Sequence, residues 1–205
     1  PRLEKLVAAS EDPLSAALHL AVAGNIIDIG IGHAYDLARD VIAILNTPFV
    51  VDDSGDFKKE ARAGRRLLYI GDNAGEIVFD RVLVQELLRA GLGVTFAVKA
   101  GPVINDATME DARIAGITSL VPTITTGAAD IGVDLGHVST EFRSALESAD
   151  LVLAKGHGNY ETLSGQPYAL YFLLKAKCDA VSRELGVKVG DIVFLKEKAS
   201  LPREK

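Results

Sequence analysis

Leu67-Leu68-Tyr69-Ile70-Gly71-Asp72-Asn73-Ala74-Gly75-Glu76-Ile77-Val78-Phe79-Asp80 decides how the rest of this 205-residue chain is read. It opens as a short apolar run, which predicts a buried strand. The run breaks at Gly71 and continues after Gly75 as a helical pattern through Ala90. Asp72, Asn73, Glu76 and Asp80 sit on or just past the turn. Ligands of an open α/β sheet bind outside the carboxyl ends of its strands, so chemistry is expected at this turn. A turn and a helix start need only glycine and one capping side chain. Two adjacent oxygen donors plus a glutamate in the first helical turn exceed that need.

Downstream the same alternation repeats, as in a parallel sheet with crossover helices. Val94–Val98 predicts a second strand, and Asn105 or Asp106 the cap of a helix running to Ala115. Ile117–Val121 reads as a third strand, Thr123 to Gly136 as a loop, and Ser139 as the cap of a helix through Ser148. Leu151–Ala154 is a fourth strand, followed by a loop from Lys155 to Glu161. Tyr168 to Leu185 is the longest helical pattern, and Asp191–Leu195 a last strand. Upstream, Asp12-Pro13 reads as an N-cap with proline in the first helical position, opening a helix that ends near Gly24. A second helical pattern covers Tyr35 to Leu45, Phe49-Val50-Val51 a short edge strand or extended linker, and Phe57 to Arg65 a short helix. The expected division is a helical part over residues 1–65 and an α/β domain over residues 66–205.

Composition bounds the function. A net charge of −6 argues against a nucleic-acid partner, because a surface that tracks phosphates makes a domain basic. No apolar run approaches the ~20 residues of a membrane span, and nothing near the start reads as a signal peptide. One cysteine, Cys178, leaves no intrachain disulfide and no zinc cluster, which suits a reducing cytoplasm. Cys178 falls in a helical pattern and is expected to be buried. The chain begins at Pro1 without an initiator methionine, and an upstream segment is therefore expected.

Parallel strands place their following loops on one edge of the sheet. Those loops carry Asp72, Asn73 and Glu76; then Lys99, Asn105, Asp106, Thr108 and Asp111; then Thr125, Thr126, Asp130 and Asp134; then Lys155, His157, Asn159 and Glu161. Asp and Asn oxygens with no Cys and little His select a hard cation, Mg²⁺ or Mn²⁺. A lysine on a neighbouring loop suits a phosphate oxygen, and Thr125-Thr126-Gly127 can add hydroxyl and amide donors. Taken singly, each piece has an ordinary explanation: Asp106 as a helix cap, Lys155 as a solvated lysine, His157 as loop surface. Only their recurrence after several strands raises the site above that background. The phosphate-loop and dinucleotide-binding glycine patterns are both absent.

The blocks Asp72-Asn73-Ala74-Gly75-Glu76-Ile77-Val78-Phe79-Asp80, Asn105-Asp106-Ala107-Thr108 and Lys155-Gly156-His157-Gly158-Asn159-Tyr160-Glu161, with Asn25-Ile26-Ile27-Asp28 upstream, resemble the metal-dependent damage-control phosphatases. The resemblance runs in order from Gly24 to Leu195. It implies a three-layer α/β/α Rossmann-like sheet, mostly parallel, preceded by a helical subdomain, which is expected to be N-terminally truncated in this chain. It also implies hydrolysis of small phosphate monoesters, sugar phosphates or damaged phosphometabolites, with a divalent cation. Mg²⁺ or Mn²⁺ is expected, and Co²⁺ or Ni²⁺ is compatible. Carried over by position, Asp72, Asn73 and Asp106 match the metal ligands, Lys155 the phosphate-contacting lysine and Glu76 an acidic residue near the metal. Asn25, Asp28 and Asn159 match the substrate side.

The resemblance leaves the attacking group open between a metal-bound water and an aspartate, with water favoured because a ligand carboxylate is already engaged. On this reading Lys155→Ala weakens phosphate binding and turnover and leaves the fold intact. The expected partner is a small phosphorylated metabolite, with no nucleic acid and no membrane, and a homo-oligomer is compatible. Two other classes fit the same sheet: a non-catalytic phosphometabolite-binding module, and a methyltransferase using S-adenosylmethionine.

Overall fold

The structure is a computed structural model that describes residues 2–23, 43 and 45–197. Within them the chain runs α1 (Arg2–Ala8), α2 (Pro13–Ala23), β1 (Val51–Asp52), α3 (Ser54–Glu60), β2 (Arg66–Ile70), α4 (Ile77–Arg89), β3 (Gly93–Val98), α5 (Met109–Ile114), β4 (Thr123–Thr125), α6 (Thr140–Ser148), β5 (Leu151–Lys155), α7 (His157–Leu163), β6 (Leu170–Lys175), α8 (Asp179–Leu185) and β7 (Ile192–Lys196). Asn25 and Asp28 lie outside the described residues, as does almost all of the expected Tyr35–Leu45 helix.

The strands form one sheet in the order β1-β7-β6-β5-β2-β3-β4. β2 to β6 are parallel, β7 is antiparallel to β6, and β1 is parallel to β7. The fold is therefore α/β with a mostly parallel sheet. The strand that opens the deciding stretch, β2, lies inside the sheet beside the central strand β5, with Tyr69 paired to Phe96 on one side and Leu153 on the other.

Alternate strand residues feed two cores, as the two-residue period of a strand requires. Leu67, Tyr69, Phe96 and Leu153 pack with residues of α2 and α4, and Leu68, Ile70, Val152 and Ala154 with Phe142 of α6, Leu163 of α7 and Val181 of α8. Burial on both faces explains why these strands read as continuous apolar runs. α2 lies against α4, and Asp12 caps it by accepting from Ser15 N at 3.0 Å.

Helix and strand are exchanged at several places. The Tyr168–Leu185 pattern is not one helix, because its apolar run is the buried strand β6 and only Asp179–Leu185 is helical. A continuous run such as Leu170-Tyr171-Phe172-Leu173-Leu174 satisfies helical spacing and a two-faced strand equally. Its aromatic content favours the strand. Ile117–Val121 is a turn rather than a strand, and β4 starts after Pro122, whose carbonyl accepts from Phe96 N at 2.9 Å. Proline fits there because β4 is an edge strand. The Phe57–Arg65 helix lies earlier, at Ser54–Glu60, and the loop expected after Lys155 is largely the helix α7. Val51, ahead of the boundary drawn at residue 65, pairs with Val193 at the other sheet edge. Cys178 is exposed, not buried, at the start of α8. No helix among the described residues is long and apolar enough to cross a membrane.

Candidate metal and phosphate site

The chain leaves β2 towards β3 but leaves β5 towards β6, on opposite sides. The connections diverge between these two neighbouring strands, which opens the crevice where α/β sheets bind ligands. Asp72 and Asn73 follow β2 there, and Gly156 follows β5.

The loop after β3 folds back onto this point. Asn73 and Asp106 face one another in an isolated antiparallel bridge, flanked by Ala74 N donating to Asn105 O at 2.8 Å and Ala107 N to Asp72 O at 2.7 Å. Asp106 therefore does not cap a helix. That work falls to Thr108, whose N and Oγ1 both donate to Asp111 Oδ2, at 2.8 and 2.6 Å. Asn73 Nδ2 donates to Asp72 Oδ2 at 3.0 Å and to Glu76 Oε1 at 2.5 Å. Two carboxylates can face only the amino end of an amide, so Oδ1 is the atom left to act as an acceptor.

Lys155 ends β5 fully buried. Its ammonium donates to Glu76 Oε2 at 2.6 Å, Asp80 Oδ1 at 2.8 Å and Ala21 O at 2.5 Å. An ammonium has three donors, and all three are engaged within the protein. Burial alone would lower the Lys155 pKa, but Asp80 and Glu76 together raise it well above the usual lysine range. Behind this pair Tyr69 OH donates to Asp80 at 2.8 Å, and the Tyr69 ring stacks on Phe96 with centroids 4.8 Å apart. Tyr69 carries no sequence signal of its own, and Asp80, one of the polar residues past the turn, shows its link to Glu76 only by spacing: the two are four residues apart, on one face of the helix start.

Gly156 has φ +81°, and a Cβ there would run into the Asp72 carboxylate. Only glycine combines that backbone with that approach. Gly156→Ala is expected to cost ~1–3 kcal/mol of stability from backbone strain and to displace Asp72. Chemical denaturation together with a metal titration would detect both effects.

Charge in the crevice does not balance. Asp72, Glu76, Asp80 and Asp106 converge there with two buried lysines, Lys155 and Lys99, the latter 3.6 Å from Asp106. Two negative charges are left over within this set. The imbalance shows in Asp72, whose pKa is pushed up to about 7 by burial, then by Glu76 and Asp106 against the pull of Lys155. Asp80 is raised to about 6, chiefly by burial.

The sign of the resulting pH dependence follows. An aspartate raised from 3.8 to about 7 keeps a proton in the folded chain that the unfolded chain has already lost. Stability is therefore greatest below that window, falls as pH rises through it, and levels off above it. Asp12, Glu60 and Asp111 have lowered pKa values, so their opposite contribution lies below the ordinary carboxylate range. In chelator, the melting temperature is expected to decline from about pH 4.5 to about pH 7.5. Scanning calorimetry at fixed ionic strength checks it.

The other candidates are scattered around this centre. Asn159 is buried beside it, its Nδ2 donating to Gly71 O at 3.1 Å and Lys155 O at 2.7 Å, while its Oδ1 has no partner among the described residues. Thr126 is buried and its hydroxyl donates to Ala128 O at 2.9 Å. His157 Nε2 accepts from Lys177 N at 3.0 Å, which ties it to the start of the next connection. Among the described residues, one trio of His, Cys or acidic side chains has its ligand atoms mutually within 4.8 Å: Asp130, Asp134 and His137. It is largely exposed, and the hydrogen bond that His137 Nδ1 donates to Asp130 raises the His137 pKa, so the trio is satisfied as an ion pair.

A family model for the damage-control phosphatase ARMT1-like domain matches residues 1–193. The chain belongs to that family. A damage-control phosphatase of Pyrococcus horikoshii is 43% identical over 188 residues, covering 90% of this chain and 66% of that protein. One of Archaeoglobus fulgidus is 38% identical over 198 residues, covering 94% and 68%. The crystal structure of a DUF89 family protein from P. horikoshii superposes with a TM-score of 0.88 at 40% identity, over 96% of this chain and 70% of that one. The chain thus spans about two thirds of the length of these damage-control phosphatase relatives.

Proposed function

We propose that this chain carries the active site of a divalent-metal-dependent phosphatase acting on small phosphate monoesters, sugar phosphates or damaged phosphometabolites. The observation that carries the reading is the charge of the crevice: four carboxylates against two buried lysines, with Asp72 driven towards holding a proton even though Lys177 also pulls the other way. A divalent cation supplies the missing charge. Oxygen donors without thiolates suit Mg²⁺ or Mn²⁺. Asp72, Asn73 through Oδ1, and Asp106 are the residues that would hold it. When bound, it supplies Lewis-acid polarisation of a phosphoryl oxygen and neutralises developing charge.

The remaining work belongs to the chain. Glu76 holds the Asn73 amide in one orientation, and Lys155 with Asp80 holds Glu76. Gly156 gives Asp72 the room it needs. Asn159 Oδ1 faces no protein donor among the described residues and is placed to accept from a substrate hydroxyl. Thr126, Asn25 and Asp28 complete the proposed substrate side, with Lys155 meeting phosphate if one of its three acceptors is exchanged. Phosphoryl transfer is then driven by positioning and by charge stabilisation.

The test is a calorimetric Mn²⁺ and Mg²⁺ titration beside a turnover screen on a panel of phosphate monoesters. Saturable metal binding with metal-dependent phosphate release is the expected result. Metal binding without turnover on any substrate would reduce the chain to a phosphometabolite-binding module, and no metal binding would overturn the reading.

A further inference from the structure

We infer that Lys99 is a positioning residue that joins the loop of residues 127–138 to Asp106, and so couples substrate binding to the metal-ligand carboxylate. The inference rests on the reading above of Asp106. Lys99 follows directly on β3 and pairs with Thr108 in an isolated bridge, and its side chain is 3% exposed. Its backbone N donates to Ala107 O at 2.9 Å, next to Asp106. Its ammonium turns to two groups of different kinds: it donates to Gly132 O and lies 3.6 Å from Asp106 Oδ2.

Gly132 cannot move freely from that contact. Its φ is +70°, and a Cβ there would collide with Gly158 O and Thr162 Oγ1. The next residue is pinned to the same helix, with Val133 N donating to Thr162 Oγ1 at 2.8 Å. The loop is therefore held between Lys99 on one side and α7 on the other, and α7 begins directly after the glycine that faces Asp72. A single cation thus sits where loop, metal ligand and crevice meet.

Position and charge make separate demands. Lys99 opposes a metal cation bound at Asp106 but favours an anionic substrate, because its ammonium is held in place in a buried, poorly screened site. Removing the charge should move the two affinities in opposite directions. A lysine that merely held the fold would weaken both together.

The experiment uses Lys99→Met and Gly132→Ala, with Mn²⁺ calorimetry, steady-state kinetics on the best phosphate monoester of the wild-type panel, and hydrogen exchange across residues 127–138. For Lys99→Met we expect Mn²⁺ binding tighter by ~3–10-fold and KM higher by ~10-fold, with kcat changed less. Exchange in the loop should be faster. Gly132→Ala keeps the charge, so it should raise KM and loop exchange with Mn²⁺ affinity unchanged. Weaker Mn²⁺ binding in a folded Lys99→Met protein, or unchanged binding and KM, overturns the inference. If Lys99→Met does not fold, Gly132→Ala decides, and wild-type KM and exchange there overturn it. No Mn²⁺ binding to wild type would instead sink the metal reading itself, which separates the two failures.

Discussion

Lys155→Met is expected to destabilise the chain by about 3–5 kcal/mol, the usual cost of removing one partner from a buried ion pair. Methionine keeps the length and apolar character of the stem, so little packing is lost. What remains is Glu76 and Asp80, each about 1% exposed and both without their counter-ion. The carbonyl of Ala21 also loses its donor. Combining Lys155→Met with Asp80→Asn should recover part of the loss, since one of the two stranded charges is then removed. Urea unfolding of the single and double variants measures it. A loss under ~1 kcal/mol would place the pair in the class of surface salt bridges. The sequence-based expectation that replacing Lys155 leaves the fold intact is therefore corrected. A strand-end lysine looks solvated in a sequence because its partners lie 75 and 79 residues away.

Asp72→Asn is expected to lower metal-dependent turnover by at least ~100-fold, or ~2.7 kcal/mol of transition-state stabilisation. The substitution keeps a hydrogen-bonding oxygen and removes one negative charge from the proposed cation site. A residue that only shaped the turn would hardly notice, because Asn and Asp serve turns and caps about equally. Without metal the variant should melt at the same temperature as wild type or higher, since repulsion from Glu76 and Asp106 is relieved. The stabilisation that wild type gains from Mn²⁺ should shrink in the variant. A variant that melts lower in chelator and still turns over would assign Asp72 to the turn and not to the cation.

The centre of the fold was legible because its signals are local. Leu67–Ile70 is bounded by Gly71, and Ser139 sits one residue ahead of its helix, its hydroxyl accepting from Phe142 N at 3.1 Å. The rule that parallel strands gather their following loops then brought Asp72 and Asp106 together on paper, and the backbone bridge between Asn73 and Asp106 joins the same two loops. β6 was not legible, because an apolar run buried on both faces has no period to read. Nor was the cap of α5, for which Asn105 and Asp106 are the sequence candidates but which Thr108 provides through two hydrogen bonds to Asp111. The network of Tyr69, Asp80, Lys155 and Glu76 is assembled from three separate elements. No single stretch announces it.

The contact between Lys155 and Ala21 has a consequence for how the protein can vary. The lysine meets a main-chain carbonyl of α2, which every residue type carries. Exchanging the Ala21 side chain for another of similar bulk leaves that acceptor in place. Inserting or deleting one residue between Pro13 and Ala21 turns the helix by about 100° and carries the carbonyl away. The helix that borders the crevice should thus tolerate drift in its letters and resist any change in its length.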